Sequence, residues 1–249
     1  MNATPKTRLF VASDLAAGLT IELGEGQAHY LRSVLRLAPG DPVALFNGRD
    51  GEWLGTIAGI GKGWCTAALT SIRRKQAAEP DLWLAFAPIK RARIDYLTEK
   101  ATELGVSVLC PVFTDRTIVE RINLDRLRAH AVEAAEQTDR LTVPELRQPQ
   151  ALAQLLADWP ASRRLLLCDE SGTSPPIGEA LPRMAPGPWA VLVGPEGGFT
   201  DRELDALKNL PFVCGVGLGP RLLRADTAAL AALAAFQALA GDWRLARRG

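Results

Sequence analysis

The sequence predicts an α/β protein preceded by a small β-rich domain, and three patterns support this. From residue 82 onward, apolar strand-like runs alternate with helical patterns, which is typical of a parallel sheet. Two of these runs end in glycine-rich turns, at residues 191–199 and 217–224. Before residue 73, short strand-like runs separated by turn residues predominate. We therefore expect a β-domain over residues 1–72, a polar linker over 73–81 and an α/β domain over 82–249.

Composition indicates an ordinary globular chain. The 249 residues are 47% hydrophobic and 23% charged, and the net charge of +1 neither indicates nor excludes nucleic-acid binding, because a balanced total can hide a basic face. The four cysteines form no C-x-x-C pair, which favours a reduced, cytoplasmic protein. His29 and His130 lack partners at ligand spacing, so no metal is expected, and the alanine-rich residues 225–240 are too few to span a membrane.

The first domain begins with a strand and a helix. Leu9 to Val11 has strand character, and residues 27–37 place apolar side chains on one helical face before Pro39-Gly40 ends the helix. Three further strand-like runs follow at residues 42–46, 53–60 and 64–72. A compact barrel is the simplest closure, and such a barrel could bind nucleic acid or serve as a purely structural or dimer-forming module.

The second domain consists of alternating strands and helices. Apolar runs predict strands, and apolar residues at helical spacing predict helices. The expected strands cover residues 82–89, 106–113, 164–168, 189–193 and 212–218, with a short segment near 143–146. The expected helices cover residues 94–104, 123–137 with Asn123 as cap, 152–159, the stretch after Thr200 and a long terminal segment.

The first glycine-rich turn has the character of a ligand-binding loop. Gly194, Gly197 and Gly198 allow main-chain amides to approach a ligand without Cβ hindrance. Thr200 and Glu203 form a capping box, which starts a helix behind the turn. The spacing matches neither the dinucleotide nor the triphosphate fingerprint, and no lysine follows the glycines. A nucleoside-like ligand fits better, although an ordinary strand-to-helix turn would have the same residues. Because the second turn lies nearby in sequence, one shared pocket is favoured.

The motifs resemble those of the ribosomal RNA small subunit methyltransferase E family, of the SPOUT superfamily. Arg8-Leu9-Phe10, His29-Tyr30-Leu31 and Val34-Leu35-Arg36 followed by Gly40-Asp41 resemble its PUA-like RNA-binding domain. The catalytic-domain motifs are resembled by residues 100–106, 133–137, 194–198 and 218–224. The resemblance implies a PUA-like β-barrel before an α/β domain with a parallel sheet and a deep trefoil knot.

The resemblance also implies S-adenosylmethionine as cofactor, in a pocket within the knot. The residues that it places there are Leu167, Gly194, Glu196, Gly197, Leu218, Gly219, Leu222, Leu223 and Thr227. Its RNA-binding candidates are Arg8, Arg32, Arg36 and Arg91. A homodimer is implied as well, and the alanines of the terminal helix would allow close helix approach, unless they pack within their own chain. These alanines are Ala228, Ala229, Ala232 and Ala235.

The family reaction methylates N3 of a uridine, conventionally numbered 1498, in 16S RNA of the small ribosomal subunit. Because N3 carries a proton at neutral pH, the site must remove it or stabilise the resulting anion. A guanidinium near the uracil carbonyls would stabilise that charge, so Arg224 and Arg140 are the catalytic candidates, with Arg91 also possible. Glu136 and Asp226 are candidate proton acceptors. The alternatives are another RNA position as target, or a non-catalytic RNA-binding assembly factor.

Two departures from the family pattern affect the acceptor side. Asp139 stands where the family usually has glycine, and glycine positions often require a backbone that other residues avoid. Asp226 stands where the family usually has glutamate, which shortens the reach of the carboxylate by one methylene. Both changes bear on the geometry of methyl acceptance more than on cofactor binding.

Overall fold

The computed structural model describes residues 4–77, 79–184 and 187–245, except for the side chain of Arg91. The chain divides into two compact units. The first comprises Met1–Ala78 with Ala135–Val143, and the second comprises Glu79–Ala134 with Pro144–Gly249. Residues 135–143, from the middle of the chain, thus belong to the first unit. The sequence instead predicts them within the α/β domain of residues 82–249.

The first unit is built on a five-stranded sheet. Its strands are β1 (Arg8–Phe10), β2 (Thr20–Leu23), β3 (Pro42–Phe46), β4 (Glu52–Gly61) and β5 (Trp64–Arg74). They pair in the order β1-β3-β4-β5-β2, with β1 parallel to β3 and the remaining pairs antiparallel. Helix α1 (Glu25–His29) continues into a π-helical turn, Tyr30–Val34, where the sequence predicts one uninterrupted helix.

Apolar residues from each element form the core of the first unit. Leu31 of the π-helical turn and Val43 and Leu45 of β3 are completely buried in it. Strand β2, which the sequence analysis does not identify, contributes Ile21 and Leu23, while its alternate residues face solvent. Four residues with this alternation are too short a signal to stand out against a loop.

The second unit contains a parallel sheet with helices on both faces. Its strands are β6 (Leu82–Phe86), β7 (Val108–Phe113), β8 (Glu145–Leu146), β9 (Gln150–Ala151), β10 (Arg164–Cys168), β11 (Trp189–Val193) and β12 (Val213–Val216). They pair in the order β12-β10-β11-β6-β7-β8, and β9 also pairs with β7. All of these pairings are parallel, as the alternation of strands and helices predicts.

The helices of this unit follow the strands in sequence. They are α2 (Arg91–Glu103), α3 (Leu124–Gln137, whose last three residues belong to the first unit), α4 (Leu152–Ala157), α5 (Ile177–Ala180), α6 (Asp201–Lys208) and α7 (Ala225–Leu239). Two 3₁₀ turns, Leu181–Arg183 and Asp242–Arg244, complete the set. The Asn123 side chain accepts a hydrogen bond from Arg126 N at 3.0 Å, which confirms the expected cap of α3.

Two hydrophobic clusters cover the two faces of this sheet, because successive strand residues point to opposite sides. Leu82, Leu84 and Phe86 of β6 pack with α2 and α7, whereas Trp83 and Ala85 pack with α4 and α6. Ala229 and Ala232 of α7 are fully buried in the first of these clusters. Those two alanines therefore serve the core of their own chain. Within the described residues, no helix is both long and apolar enough to cross a bilayer.

Candidate active site

Three loops meet at the carboxyl edge of the parallel sheet in the second unit. β10 lies between β11 and β12, so the loops after these strands, residues 169–176, 194–200 and 217–224, emerge side by side. Ligands of open α/β sheets bind at such an edge. The two glycine turns therefore lie at one edge of the sheet, after the two strands that flank β10, as a shared pocket would require.

The first glycine turn lacks room for side chains at its start. A Cβ on Gly194 would approach the Phe199 ring to 3.0 Å, so the aromatic ring closes over the backbone. Behind the turn, Thr200 Oγ1 accepts from Glu203 N at 3.3 Å, and Glu203 Oε2 accepts from Thr200 N at 2.8 Å. The expected capping box is thus present and fixes the start of α6.

Arg116, in the loop after β7, holds this turn from the other side. Its guanidinium donates to the carbonyl oxygens of Gly197, at 2.9 Å, and Phe199, at 3.2 Å. Asp115 Oδ2 also accepts from Thr200 Oγ1 at 3.2 Å. Neither residue can be identified from the sequence alone, because nothing in the local spacing indicates that Arg116 contacts Gly197, 81 residues away.

The loop after β10 is anchored by a buried aspartate. Asp169 accepts hydrogen bonds from Ser171 N at 2.9 Å and Ser174 Oγ at 2.7 Å, and pairs with Lys208 Nζ at 2.8 Å. Burial acts to raise the pKa of Asp169, but the bonds from Lys208 and the two serines outweigh it and hold the pKa well below its ordinary value. This loop therefore has a defined path along the edge of the sheet.

The same loop is joined to the second glycine turn by backbone hydrogen bonds. Gly217 N donates to the carbonyl of Pro175 at 2.8 Å, and Ile177 N donates to the carbonyl of Gly217 at 3.0 Å. Two residues on, Gly219 has a φ of +99°, which favours glycine. Leu222 at the exit is 80% exposed. The second turn thus combines a fixed entry with an apolar side chain open to solvent.

The remaining cofactor-site candidates differ in exposure. Leu167 is fully buried among apolar side chains of the core, so its side chain serves packing. Leu218 is half-buried against the core that contains α7, and Leu223 is also half-buried. Glu196 in the first turn and Thr227 in α7 are exposed. Except for Leu167, this set has side chains that reach solvent at the edge of the sheet.

Arg224 and Asp226 lie where the second turn enters α7. Arg224 is the N-cap residue and is exposed, and Asp226 lies in the first helical turn. Asp226 Oδ2 is 3.9 Å from Nε of Arg93 on α2, a residue that the sequence analysis does not name. The guanidinium of Arg93 is therefore a counter-ion for the candidate acceptor.

Glu136 and Arg140 belong to the first unit. Glu136 Oε1 accepts a hydrogen bond from Phe10 N at 2.8 Å. Arg140 is only 8% exposed, and its Nη2 donates to Thr142 Oγ1 at 3.0 Å. Between them, Asp139 has a φ of +61°, which is the left-handed conformation that its family glycine would adopt without strain.

Arg8 has a structural role in place of the RNA contact suggested for it. Its guanidinium donates to the carbonyls of Ala135, Glu136 and Arg140 at 3.0, 3.0 and 2.6 Å, and its Nε lies 2.5 Å from Glu52 Oε2. It also stacks over the Phe46 ring, 4.6 Å from the centroid. The guanidinium N–H groups of Arg8 are engaged within the protein, and only 9% of its side chain is exposed. Few of its donors therefore remain for a phosphate.

Glu52 is the centre of that network. The carboxylate is fully buried and also pairs with Arg73 and, at 2.7 Å, Arg74. Burial acts to raise the pKa of Glu52, but hydrogen bonds from Arg74 and Arg8 outweigh it and lower the pKa to about 2. The network ties β1, β4 and β5 to the segment 135–140, so it holds that segment in the first unit.

The remaining RNA-binding candidates are Arg32, Arg36 and Arg91. Arg32 lies in the π-helical turn, and Arg36 follows it with a φ of +56°, a conformation that non-glycine residues rarely adopt. Both side chains are exposed. Arg91 begins α2, but its side chain lies outside the described part of the structure. Strain and π-helical turns tend to mark functional positions, which distinguishes Arg36 among the surface arginines.

Two of the cysteines are buried deeply enough to suppress their thiolate form. Burial raises the pKa of the Cys110 and Cys168 thiols to about 12, so neither provides a thiolate near neutral pH. In the described parts of the chain, no three side chains of metal-ligand type come together.

Comparison with known protein families gives two matches that cover most of the chain. Residues 23–70 match the model of the RNA methyltransferase PUA domain, and residues 77–237 match the RNA methyltransferase domain. The first match falls within the first unit and confirms the expected PUA-like character. The second spans the parallel sheet and all three loops at its carboxyl edge.

Individual relatives agree with the family models. Ribosomal RNA small subunit methyltransferase E of Rickettsia conorii is 33% identical over 91% of this chain and 93% of its own. The protein of that name from Synechocystis is 34% identical over 93% of this chain and 77% of its own. A crystal structure of the Neisseria gonorrhoeae protein of that name, bound to S-adenosyl methionine, is 28% identical, covers 95% of this chain and 99% of its own, and has a TM-score of 0.86. The chain belongs to the ribosomal RNA small subunit methyltransferase E family.

Proposed function

We propose that this protein transfers the methyl group of S-adenosylmethionine to N3 of uridine 1498 in 16S ribosomal RNA. The observation that carries the proposal is the meeting of two glycine turns at one sheet edge, in a chain whose Neisseria relative was crystallised with S-adenosyl methionine. The reaction class is that of the family. The N3 position is what the resemblance of the sequence motifs implies, and it is proposed here on that basis.

The residues of the three loops fit a nucleoside-containing cofactor. Gly194 and Gly198 leave the main chain of the turn uncovered. A Cβ on Gly194 would meet the Phe199 ring, and a Cβ on Gly198 would meet the Glu170 carboxylate. The exposed Leu222 and the half-buried Leu218 and Leu223 supply apolar surface for an adenine. We expect the trefoil knot of the family at this place, where residues 175–177 and Gly217 already hold two loops together.

The cofactor supplies an electrophilic methyl group, and the protein has to make uracil N3 nucleophilic. Arg224 is exposed beside the second turn, where its guanidinium can stabilise the negative charge that develops on the uracil carbonyls. Asp226, which is half-buried beside Arg93, is the acceptor candidate for the N3 proton. Arg140 and Glu136 are the second candidates for these roles.

RNA binding is assigned to three arginines, of which Arg32 and Arg36 have exposed side chains. Arg32, Arg36 and Arg91 are proposed to contact phosphate, for which a fork of guanidinium donors is well suited. Arg36 is the strongest candidate because its left-handed backbone presents a charged side chain at an energetic cost. The RNA affinity should fall as the salt concentration rises. Each arginine removed should make the negative slope of log affinity against log salt less steep by about one unit.

We further propose a cytoplasmic homodimer. Ala235 of α7 is half-buried and is not part of the core cluster that contains Ala229 and Ala232, so it is available for a close helix contact, whereas the half-buried Ala228 also packs against that cluster. Light scattering on the purified protein should give twice the mass of the 26.8 kDa chain. A measured mass of 26.8 kDa would contradict the homodimer and would leave the proposed cofactor site unaffected.

Methyl transfer from labelled cofactor tests the proposed activity. The purified protein is incubated with labelled S-adenosylmethionine and either free 16S RNA or small ribosomal subunits. Arg224→Ala and Arg140→Ala are expected to lower turnover by about a hundredfold or more, as loss of one electrostatic group does in other active sites, while cofactor binding persists. Unchanged turnover would remove the arginine in question from the mechanism, and no transfer to either RNA would favour a non-catalytic assembly factor.

A further inference from the structure

We infer that Glu170, a residue without an assigned role, accepts hydrogen bonds from the vicinal ribose hydroxyls of the cofactor. The inference rests on the proposed function, because it names a group in the same pocket. Glu170 directly follows Asp169 in the loop after β10. Its carboxylate lies against the first glycine turn.

The position of Glu170 is fixed by its neighbour. Asp169 is buried and bound by Lys208, Ser171 and Ser174, so the backbone one residue before Glu170 has little freedom. Ser171 N, one residue after Glu170, donates to Asp169 at 2.9 Å. The chain is therefore held on both sides of Glu170, while the Glu170 side chain extends to solvent.

Gly198 makes the space that Glu170 occupies. A Cβ on Gly198 would overlap Oε1 of Glu170, so the carboxylate lies where a side chain of the first turn would otherwise be. Gly198 also has a φ of +68°, which separately favours glycine. A turn and a carboxylate from two neighbouring loops are thus brought together only because this residue has no side chain.

The carboxylate has no competing partner. Across residues 4–77, 79–184 and 187–245, no hydrogen bond or ion pair to the Glu170 side chain is present. This contrasts with Asp169, whose oxygens are engaged within the protein. An ionised carboxylate accepts only and has two oxygens, which suits a ligand that presents two adjacent donors.

Among the groups of a nucleoside-containing methyl donor, the ribose diol presents such a pair. An acidic residue near the carboxyl end of a strand binds ribose hydroxyls in other α/β nucleotide sites, for the same chemical reason. Charge-assisted hydrogen bonds of this kind are about twice as strong as neutral ones. We assign Glu170 to the binding of this diol, as a cofactor-contacting residue with no part in proton transfer.

A double-mutant cycle between protein and ligand tests the assignment. The ligands are S-adenosylmethionine, S-adenosylhomocysteine and the 2′-deoxy and 3′-deoxy analogues of the latter, measured by calorimetry with the wild type, Glu170→Gln and the exposed control Glu179→Gln. In the wild type and in Glu179→Gln, loss of one hydroxyl should weaken binding roughly tenfold or more. In Glu170→Gln, the parent ligand should bind more weakly, and loss of the hydroxyl should cost much less.

The possible results separate this inference from the proposed function. If the wild type binds S-adenosylhomocysteine but hydroxyl loss costs the same with and without Glu170, the ribose assignment is overturned and the cofactor site stands. The assignment is also overturned if Glu170→Gln changes only the preference between S-adenosylmethionine and S-adenosylhomocysteine, since the carboxylate would then act on the sulfonium charge. If the wild type binds none of these ligands, the proposed function fails, and this inference with it.

Discussion

Glu52 in the first unit and Glu170 in the second are both carboxylates with a fixed position, yet their surroundings are opposite. Glu52 is fully buried and pairs with Arg8, Arg73 and Arg74, whereas Glu170 is exposed and approaches a glycine turn. Burying a carboxylate is tolerable only when its partners are complete. A carboxylate whose partners are complete within the protein maintains the fold. The Glu170 carboxylate, which has no hydrogen-bond or ion-pair partner among the described residues, is available to a ligand.

Removing Glu52 should give the largest effect on stability. Glu52→Ala would leave three guanidinium groups without their shared partner, and breaking a buried ion pair typically costs about 3–5 kcal/mol in free energy of unfolding. Urea unfolding of the variant measures this loss. Glu170→Ala is the matched control, since an exposed carboxylate without partners should change stability by less than about 0.5 kcal/mol. Equal losses in the two variants would contradict the distinction between them.

Lowering the pH should destabilise the protein through protonation of Glu52. The folded pKa of Glu52 is about 2, below the ordinary 4.5, so its contribution to stability is complete above about pH 4.5 and is lost as the pH falls toward 2. Urea midpoints between pH 7 and pH 3 should therefore fall more steeply for the wild type than for Glu52→Gln, which has no proton to gain there. Parallel curves for the two proteins would show that Glu52 is not the responsible group.

Gly198→Ala should affect the cofactor more than the fold. An alanine at φ +68° costs about 1–2 kcal/mol, and its Cβ would displace the Glu170 carboxylate. We expect binding of S-adenosylmethionine to weaken about tenfold or more, as measured by calorimetry. Gly18→Ala is the comparison, because Gly18 in the first unit has a similar φ of +82°, but a Cβ there would meet no atom beyond its chain neighbours within 4 Å. The reverse order of the two affinities would argue against the role of Gly198 as the space for Glu170.

Asp139→Gly should have the smallest effect. Glycine adopts φ +61° without strain, and the carboxylate that is lost is 56% exposed and 3.7 Å from Arg8. We expect a gain in unfolding free energy of less than about 1 kcal/mol and unchanged cofactor affinity. A loss above about 1 kcal/mol in the urea unfolding curve would mean that the Asp139 side chain supports the Arg8 network.

Sequence reasoning recovers those parts of the molecule that depend on local pattern. Continuous apolar runs predict β3, β10 and β11 with the bounds that the structure shows, and the Thr200 capping box is present as expected. The glycine turns are identifiable because a close backbone approach demands glycine at fixed positions. In contrast, the four alternating residues of β2 are too few to distinguish from a loop.

Contacts between distant parts of the chain do not follow from local pattern. The sequence does not distinguish Arg8 from a surface arginine. Its structural role becomes visible only through its contacts with Ala135, Glu136 and Glu52. Arg116 and Asp169 hold loops that follow other strands, so their roles depend on strand order. Glu170 has one local signal, an acidic residue just after a buried strand, but its approach to Gly198 is visible only in three dimensions.

The nucleoside that becomes methylated tests the central proposal most directly. Small ribosomal subunits or 16S RNA are treated with the protein and S-adenosylmethionine, digested with nuclease and analysed by mass spectrometry, with Arg224→Ala as control. We expect 3-methyluridine in the fragment that contains position 1498, and much less of it with the variant. A methylated ribose, a different base or a different fragment would contradict the assigned target, and no methylated nucleoside at all would contradict the assigned activity.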